Sequence, residues 1–116
     1  MGLKKLPSMK GKKRYIIFRI HTDMELDFEN VKNSIWNSLT EWIGEADLGK
    51  ANVAVIRNLW NSKEYTGFIQ CNSKYVDAIK VGLSLIHHVG DAKVIFQTMR
   101  VSGTIQSGKT KSLDSP

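Results

Sequence analysis

Two strand-helix-strand runs follow one another along this chain, and that order constrains its fold more than any property of composition. Residues 15–20, YIIFRI, alternate with a period of two, which predicts a strand. Ile16, Phe18 and Ile20 form the core side, while Tyr15, Ile17 and Arg19, with a phenol and a guanidinium among them, are expected on an exposed sheet surface. Phe28, Val31, Ile35, Leu39, Trp42 and Ile43 then recur at the spacing of one helical face. Asp27 is placed to cap that helix, Glu29 to meet the positive end of its dipole, and Gly44 to stop it. A polar connection is expected over residues 45–50, a strand over 51–60, a hairpin turn over 61–66 and a returning strand over 67–71. Asn72 or Ser73 caps a second helix, with Val76, Ile79, Leu83 and Ile86 as its buried stripe and Gly90 as its end. The last strand begins at Lys93, with Val94, Phe96 and Thr98 on one side and Ile95, Gln97 and Met99 on the other. It is expected to break after Met99 into a short polar exit, residues 100–105, with Gly103 inside it.

Right-handed crossovers interleave two such halves into a four-stranded antiparallel sheet with both helices on one face. The expected fold is therefore α+β: a ferredoxin-like, RNA-recognition-like βαββαβ sandwich with its second sheet face open. At 116 residues the chain has room for one such core. It divides into a basic arm (1–13), expected to be ordered only by a partner, an αβ domain (14–105) and a polar tail (106–116). No apolar run approaches the roughly 18 residues of a membrane span, and the basic start lacks the apolar block of a signal peptide. A cytoplasmic protein without membrane contact is expected.

The net charge of +6 is unevenly spread. Lys4, Lys5, Lys10, Lys12, Lys13 and Arg14 precede the first strand with no acid among them, residues 15–99 are slightly acidic, and Arg100, Lys109 and Lys111 follow. Basic ends on a near-neutral body suit phosphate contacts, because each neutralised phosphate releases condensed counterions. A solvated tail that only aids solubility gives the same pattern.

Other motifs lose to plainer readings. Residues 103–110, GTIQSGKT, match the phosphate-loop pattern G-x-x-x-x-G-K-[ST], but that loop must lie between a strand and a helix, and six residues remain after Thr110. Asp23, Glu25, Asp27 and Glu29 lack a histidine or a second carboxylate cluster to complete a metal shell. His87 and His88, expected at the end of the second helix, would point about 100° apart there and chelate poorly. The lone Cys71 is expected as a small buried apolar group. Trp36, Trp42 and Trp60 suit core or interface positions rather than cofactor contacts, and Trp36, off the centre of its stripe, is the interface candidate. Phe68 is expected exposed on the open sheet face, covered by a partner protein or, alternatively, stacking a base as in a free-standing single-strand RNA-binding domain.

Arg14-Tyr15-Ile16 opening the first strand, Ile35-Trp36 in the first helix, the G-x-I-x-C run at residues 67–71 and Val101-Ser102-Gly103-Thr104-Ile105 after the last strand together resemble archaeal ribonuclease P protein component 2. The eukaryotic relative of that family is the small ribonuclease P and MRP subunit called Pop five. The likeness spans about residues 12–105, and the chain departs from the family in ending on a short serine-containing segment that is less basic than the family leads one to expect. The resemblance implies a subunit of the ribonucleoprotein endonuclease that removes the 5′ leader of precursor tRNA. The RNA component, with magnesium ions, would perform the hydrolysis, and this chain would hold no catalytic residue, cofactor or metal of its own. Its implied partners are ribonuclease P RNA, protein component 3 and other protein subunits, with precursor tRNA as holoenzyme substrate and self-association within a heterotetramer. On that basis Lys10, Lys12, Lys13, Arg14, Arg100, Ser102, Lys109 and Lys111 are the candidate RNA contacts. Tyr15, Arg19, Trp36 and Phe68 are the candidate protein contacts.

Overall fold

A computed structural model describes residues 12–105. Strand β1 (Lys13–His21) is the centre of a four-stranded antiparallel sheet. On one side it pairs β3 (Thr66–Asn72), from Lys13 opposite Asn72 to Arg19 opposite Thr66; on the other it pairs β6 (Ile95–Ser102). A two-residue strand, β2 (Ala54–Val55), extends β3, so the sheet order is β2-β3-β1-β6. Helices α1 (Phe28–Ile43) and α3 (Val76–Ser84) cover one face. This is the expected α+β plan.

The core follows the expected periodicities. Ile16, Phe18 and Ile20 of β1 meet Val31, Ile35 and Leu39 of α1 and Ile79 and Leu83 of α3 in one buried cluster. Asp27 caps α1 by accepting a hydrogen bond from the Asn30 amide at 2.9 Å, and Gly44 ends it with a φ of +96°. Residues 61–66 form the expected turn: the Asn61 side chain accepts from the Lys63 and Glu64 amides, and Asn61 bridges Thr66. Trp60 packs its ring on Tyr65, Phe28 and Phe18, locking this turn to the core.

Five elements differ from expectation. The connection after Gly44 is a helix, α2 (Glu45–Ala51), with Leu48 and Ala51 buried and with acids in its first turn and Lys50 in its last, as the dipole favours. The strand expected over residues 51–60 shrinks to Ala54–Val55, because the chain then turns through a 3-10 segment at Arg57–Leu59 and crosses the sheet edge. Helix α3 stops at Ser84. Gly90, read as its terminus, instead has φ +60° in the turn of a small hairpin, β4 (His88–Val89) and β5 (Ala92–Lys93), so His87 and His88 lie off the helix. Within α1 itself, Trp42, counted in the buried stripe, is 50% exposed.

The fifth of these elements, β6, reorients its side chains. It does not break at Met99 but runs to Ser102, and a bulge sets Phe18 opposite Thr98 yet Ile17 opposite Arg100. Met99 is the additional residue, and it reverses the alternation downstream. Without it Arg100 would share the core side with Phe96 and Thr98; with it Val101 packs on the core, and Arg100 joins Ile17 on the opposite sheet face.

This packing has two measurable consequences. A Cβ built on Gly82 would lie 2.6 Å from Leu39 Cδ2 and 3.3 Å from Trp42 Cδ1, so α1 and α3 approach through a space only glycine leaves. Gly82→Val should destabilise the fold by about 2 kcal/mol through overpacking, read as a lower urea midpoint with an unchanged slope. Burial pushes the Cys71 thiol up to about 11 from its ordinary 9.0. Above pH 9 the unfolded chain releases that proton while the folded chain keeps it, so this contribution is whole below pH 9.0 and fades as pH rises to about 11. Urea melts of wild type and Cys71→Ala across that window should show a shallower alkaline decline in the variant.

Candidate nucleic-acid interface

The expected sites were organised around an open sheet face, and that face is partly closed by the chain itself. The segment after β2 brings Ile56 and Leu59 across it, and the exit of β6 returns Ile105 to it. Together they bury Tyr15, Ile17 and Phe68 in a second apolar cluster, with Tyr15 at 9% and Phe68 at 6% exposure. The expectation that Tyr15 and Phe68 stand exposed for a partner is therefore corrected. Neither ring is free to stack on a base or meet a protein, because each already fills the chain's own second core.

Three remaining expected residues also sit in particular surroundings. Ser102 is 6% exposed, and its hydroxyl donates to the Thr104 carbonyl at 2.8 Å and accepts from the Thr104 amide at 3.2 Å. This local turn redirects the chain so that Ile105 can reach the sheet; it leaves Ser102 a structural residue rather than the expected phosphate contact. Arg19 is partly buried, on the same side of the sheet as Gln97 opposite it, whose amide oxygen accepts from His21 Nε2 at 2.7 Å. Trp36 packs partly buried against the main core and borders a shallow hollow with Thr40, Leu48 and Val53.

The cations that the structure describes do converge. Lys12 and Lys13 are exposed at the start of β1, and the Arg14 guanidinium donates from Nη1 to the Lys13 carbonyl at 2.8 Å. That same Nη1 lies 3.7 Å from where a Cβ on Gly103 would be, which puts Arg14 beside the exit of β6. Arg100 stands two residues before Ser102 on the outer face, and its Nε is buried with no hydrogen-bond partner among the described residues. An unpaired buried donor is costly, and the partly buried Arg100 side chain carries that cost. Lys10, Lys109 and Lys111 lie outside the described residues.

The opposite end of β1 leads into Asp23, Glu25 and Asp27, about 27 Å away at strand rise. Glu29 beyond them pairs with Arg57 and, at 3.7 Å, with Lys32. The body thus carries cations where β1 begins and β6 ends, and carboxylates where β1 leaves the sheet. Among the described residues no group of three or more His, Cys, Asp or Glu side chains is placed to hold a metal ion, and no helix is long and apolar enough to cross a membrane. The arrangement suits recognition of an anionic polymer by charge and backbone contact.

One surface was not apparent from the sequence. Trp42, Val81 and Leu85 are 50%, 42% and 48% exposed on the helical side. Trp42 lies against Gly82 and lines one concavity with Leu85, and Val81 stands one helical turn before Leu85 on α3. The available signal was slight: Leu85 falls one position before the stripe residue Ile86, and Trp42 one before Ile43.

Comparison with known proteins agrees with this architecture. In the cryo-EM structure of yeast ribonuclease MRP, one chain superposes with a TM-score of 0.59 at 12% identity, covering 89% of this chain and 91% of that one, a likeness of fold. Ribonuclease P protein component 2 of Pyrococcus horikoshii is 35% identical over 92% of this chain and 88% of its own length. The component 2 proteins of Pyrococcus abyssi and Methanocaldococcus jannaschii are 34% and 36% identical, over 97% and 92% of this chain and 95% and 77% of theirs. The model of the Rpp14/Pop5 family matches residues 14–113, which takes in both main helices and the sheet from Arg14 through the end of β6, and to that family this chain belongs.

Proposed function

We propose that this chain is a protein subunit of ribonuclease P, the ribonucleoprotein that removes the 5′ leader of precursor tRNA in the cytoplasm. Membership of the Rpp14/Pop5 family, with component 2 relatives matched along almost their whole length, is the observation that carries the reading. Under it the RNA component and its magnesium ions hydrolyse the phosphodiester, and this chain supports the RNA fold alongside protein component 3 and further subunits.

The geometry supports a division of labour on the protein. Lys12, Lys13, Arg14 and Arg100 would neutralise phosphates at one end of the sheet, joined by Lys10, Lys109 and Lys111 from the flanking segments. Arg19 and Trp36 remain partly exposed and are kept as protein contacts. Self-association within a heterotetramer would bring a second copy of these surfaces. The free-standing recognition domain loses its main support, because its stacking ring, Phe68, is buried.

Three measurements test the assignment. Reconstitution of ribonuclease P RNA with its protein subunits should cleave leaders faster with this chain than without it. The variant K12A/K13A/R14A should bind the RNA more weakly, with its log-log salt slope reduced by about one for each phosphate that is no longer neutralised. Equal affinity and an equal slope would reject the basic end as the RNA contact. Arg100→Met should weaken RNA binding while leaving the urea midpoint of the free protein unchanged or raised, since it removes a desolvated donor worth roughly 1–3 kcal/mol when unpaired. Unchanged RNA binding by Arg100→Met would remove Arg100 from the interface.

A further inference from the structure

The helical side carries a feature that the RNA contacts leave unused. Trp42, Val81 and Leu85 form an exposed apolar patch, and a concavity of about 450 Å³ opens between Trp42 and Leu85. Its polar lining comes from α1, through Ser34, Asn37 and Glu41, and from His87 and His88 beyond α3. The Trp42 ring rests on the backbone of Gly82, and the Ser38 hydroxyl donates to the Gly82 carbonyl at 2.9 Å, so the floor is fixed. A large ring held this way presents apolar area with little conformational freedom left to lose.

We infer that this patch docks a protein subunit, through a segment that inserts a large apolar side chain between Trp42 and Leu85 and sets an arginine or lysine against Glu41. The choice of occupant follows from charge. Among the described residues Glu41 is the acid in the lining and no lysine or arginine joins it; Lys80, next to Val81, is not part of the concavity. Neither α1 nor α3 has a basic residue in its last turn, so no cation on either helix end offsets Glu41. A phosphate backbone meets repulsion here, whereas a cationic side chain beside an apolar one is matched. The patch also lies on the helical side of the sheet, away from the outer face that carries Arg100, so RNA and a protein can be held together.

This inference rests on the ribonucleoprotein-subunit reading, and its test separates the two. The full-length chain would be titrated with purified ribonuclease P protein component 3 and, separately, with ribonuclease P RNA, using wild type, L85K, V81K and E41K. All three positions are exposed, and a thermal melt checks that each variant folds. Each substitution should weaken the protein complex at least tenfold and leave RNA affinity within a factor of two of wild type or raise it. Wild-type affinity for the protein in all three variants overturns the docking site while leaving the RNA reading intact. Sedimentation of the free chain as a dimer that L85K dissociates also overturns it, because the occupant would then be a second copy. Loss of RNA binding in the same variants places RNA on this patch and overturns it again. A wild-type chain that binds neither component 3 nor the RNA refutes this inference together with the subunit reading.

Discussion

The structure depends on burying both faces of one strand. In β1 the residues that face the helices, Ile16, Phe18 and Ile20, are at most 2% exposed, and Ile17 on the opposite face is only 1% exposed. A sheet with one open face would leave Ile17, Tyr15 and Phe68 in water, forgoing roughly 1.5–3 kcal/mol for each large apolar side chain left uncovered. Two crossing segments remove that penalty: Ile56 and Leu59 arrive from the β2 side, and Ile105 arrives from the β6 side. Each crossing explains an irregularity elsewhere. β2 is only two residues long because the chain leaves the sheet plane at Ile56, and the Ser102 hydroxyl is tied to Thr104 because the chain must turn there.

The same requirement separates this protein from a sheet-surface RNA reader. Base stacking needs aromatic rings open to solvent on the central strands, and here those rings are internal. What reaches solvent instead lies at the margins: the cations at the start of β1, and Arg100, turned outward by the Met99 bulge. Contacts of that kind read charge and shape rather than base identity, which suits a protein that stabilises a folded RNA. The single buried side-chain nitrogen without a partner among the described residues, Arg100 Nε, marks where the free chain gives up stability at that margin.

Much of this was legible from residue order because the signals were local. A period-two strand, a capped helix with a 3.6-residue stripe, an Asn-led turn and a second helix can each be read within about fifteen residues. The missed features depend on distant partners. Helix α2 is seven residues with Gly49 inside it, too short for a periodic signal, and it is held by the burial of Leu48 and Ala51. Val53, Val55 and Ile56 look like one strand, yet the first two pack on the main core and Ile56 on the second. Glycine marks a helix end and a hairpin turn by the same positive φ, so Gly90 was open to both readings. The bulge exists only relative to β1, and one undetected residue there reverses the predicted face of everything after it. For the candidate site, the cations were visible as composition, whereas the burial of Phe68 and the exposure of Trp42 required the assembled layers.

The layers also explain why one small domain can serve two kinds of partner. A sheet covered by helices on one side and by its own crossing segments on the other has no broad polar face, and the surfaces proposed for recognition are accordingly an end and a flank. The end is cationic because β1 starts and β6 finishes there, in antiparallel register, bringing together basic residues that are far apart in sequence. The flank is apolar because Gly82, with no side chain, lets Leu39 and the half-exposed Trp42 of α1 lie against α3. A larger residue at Gly82 would separate the helices and change that surface; charge substitutions at Lys13 or Arg14 act at the other end. The two surfaces are thus set by different constraints, one by strand register and one by helix packing, and sequence change can alter either while leaving the other in place.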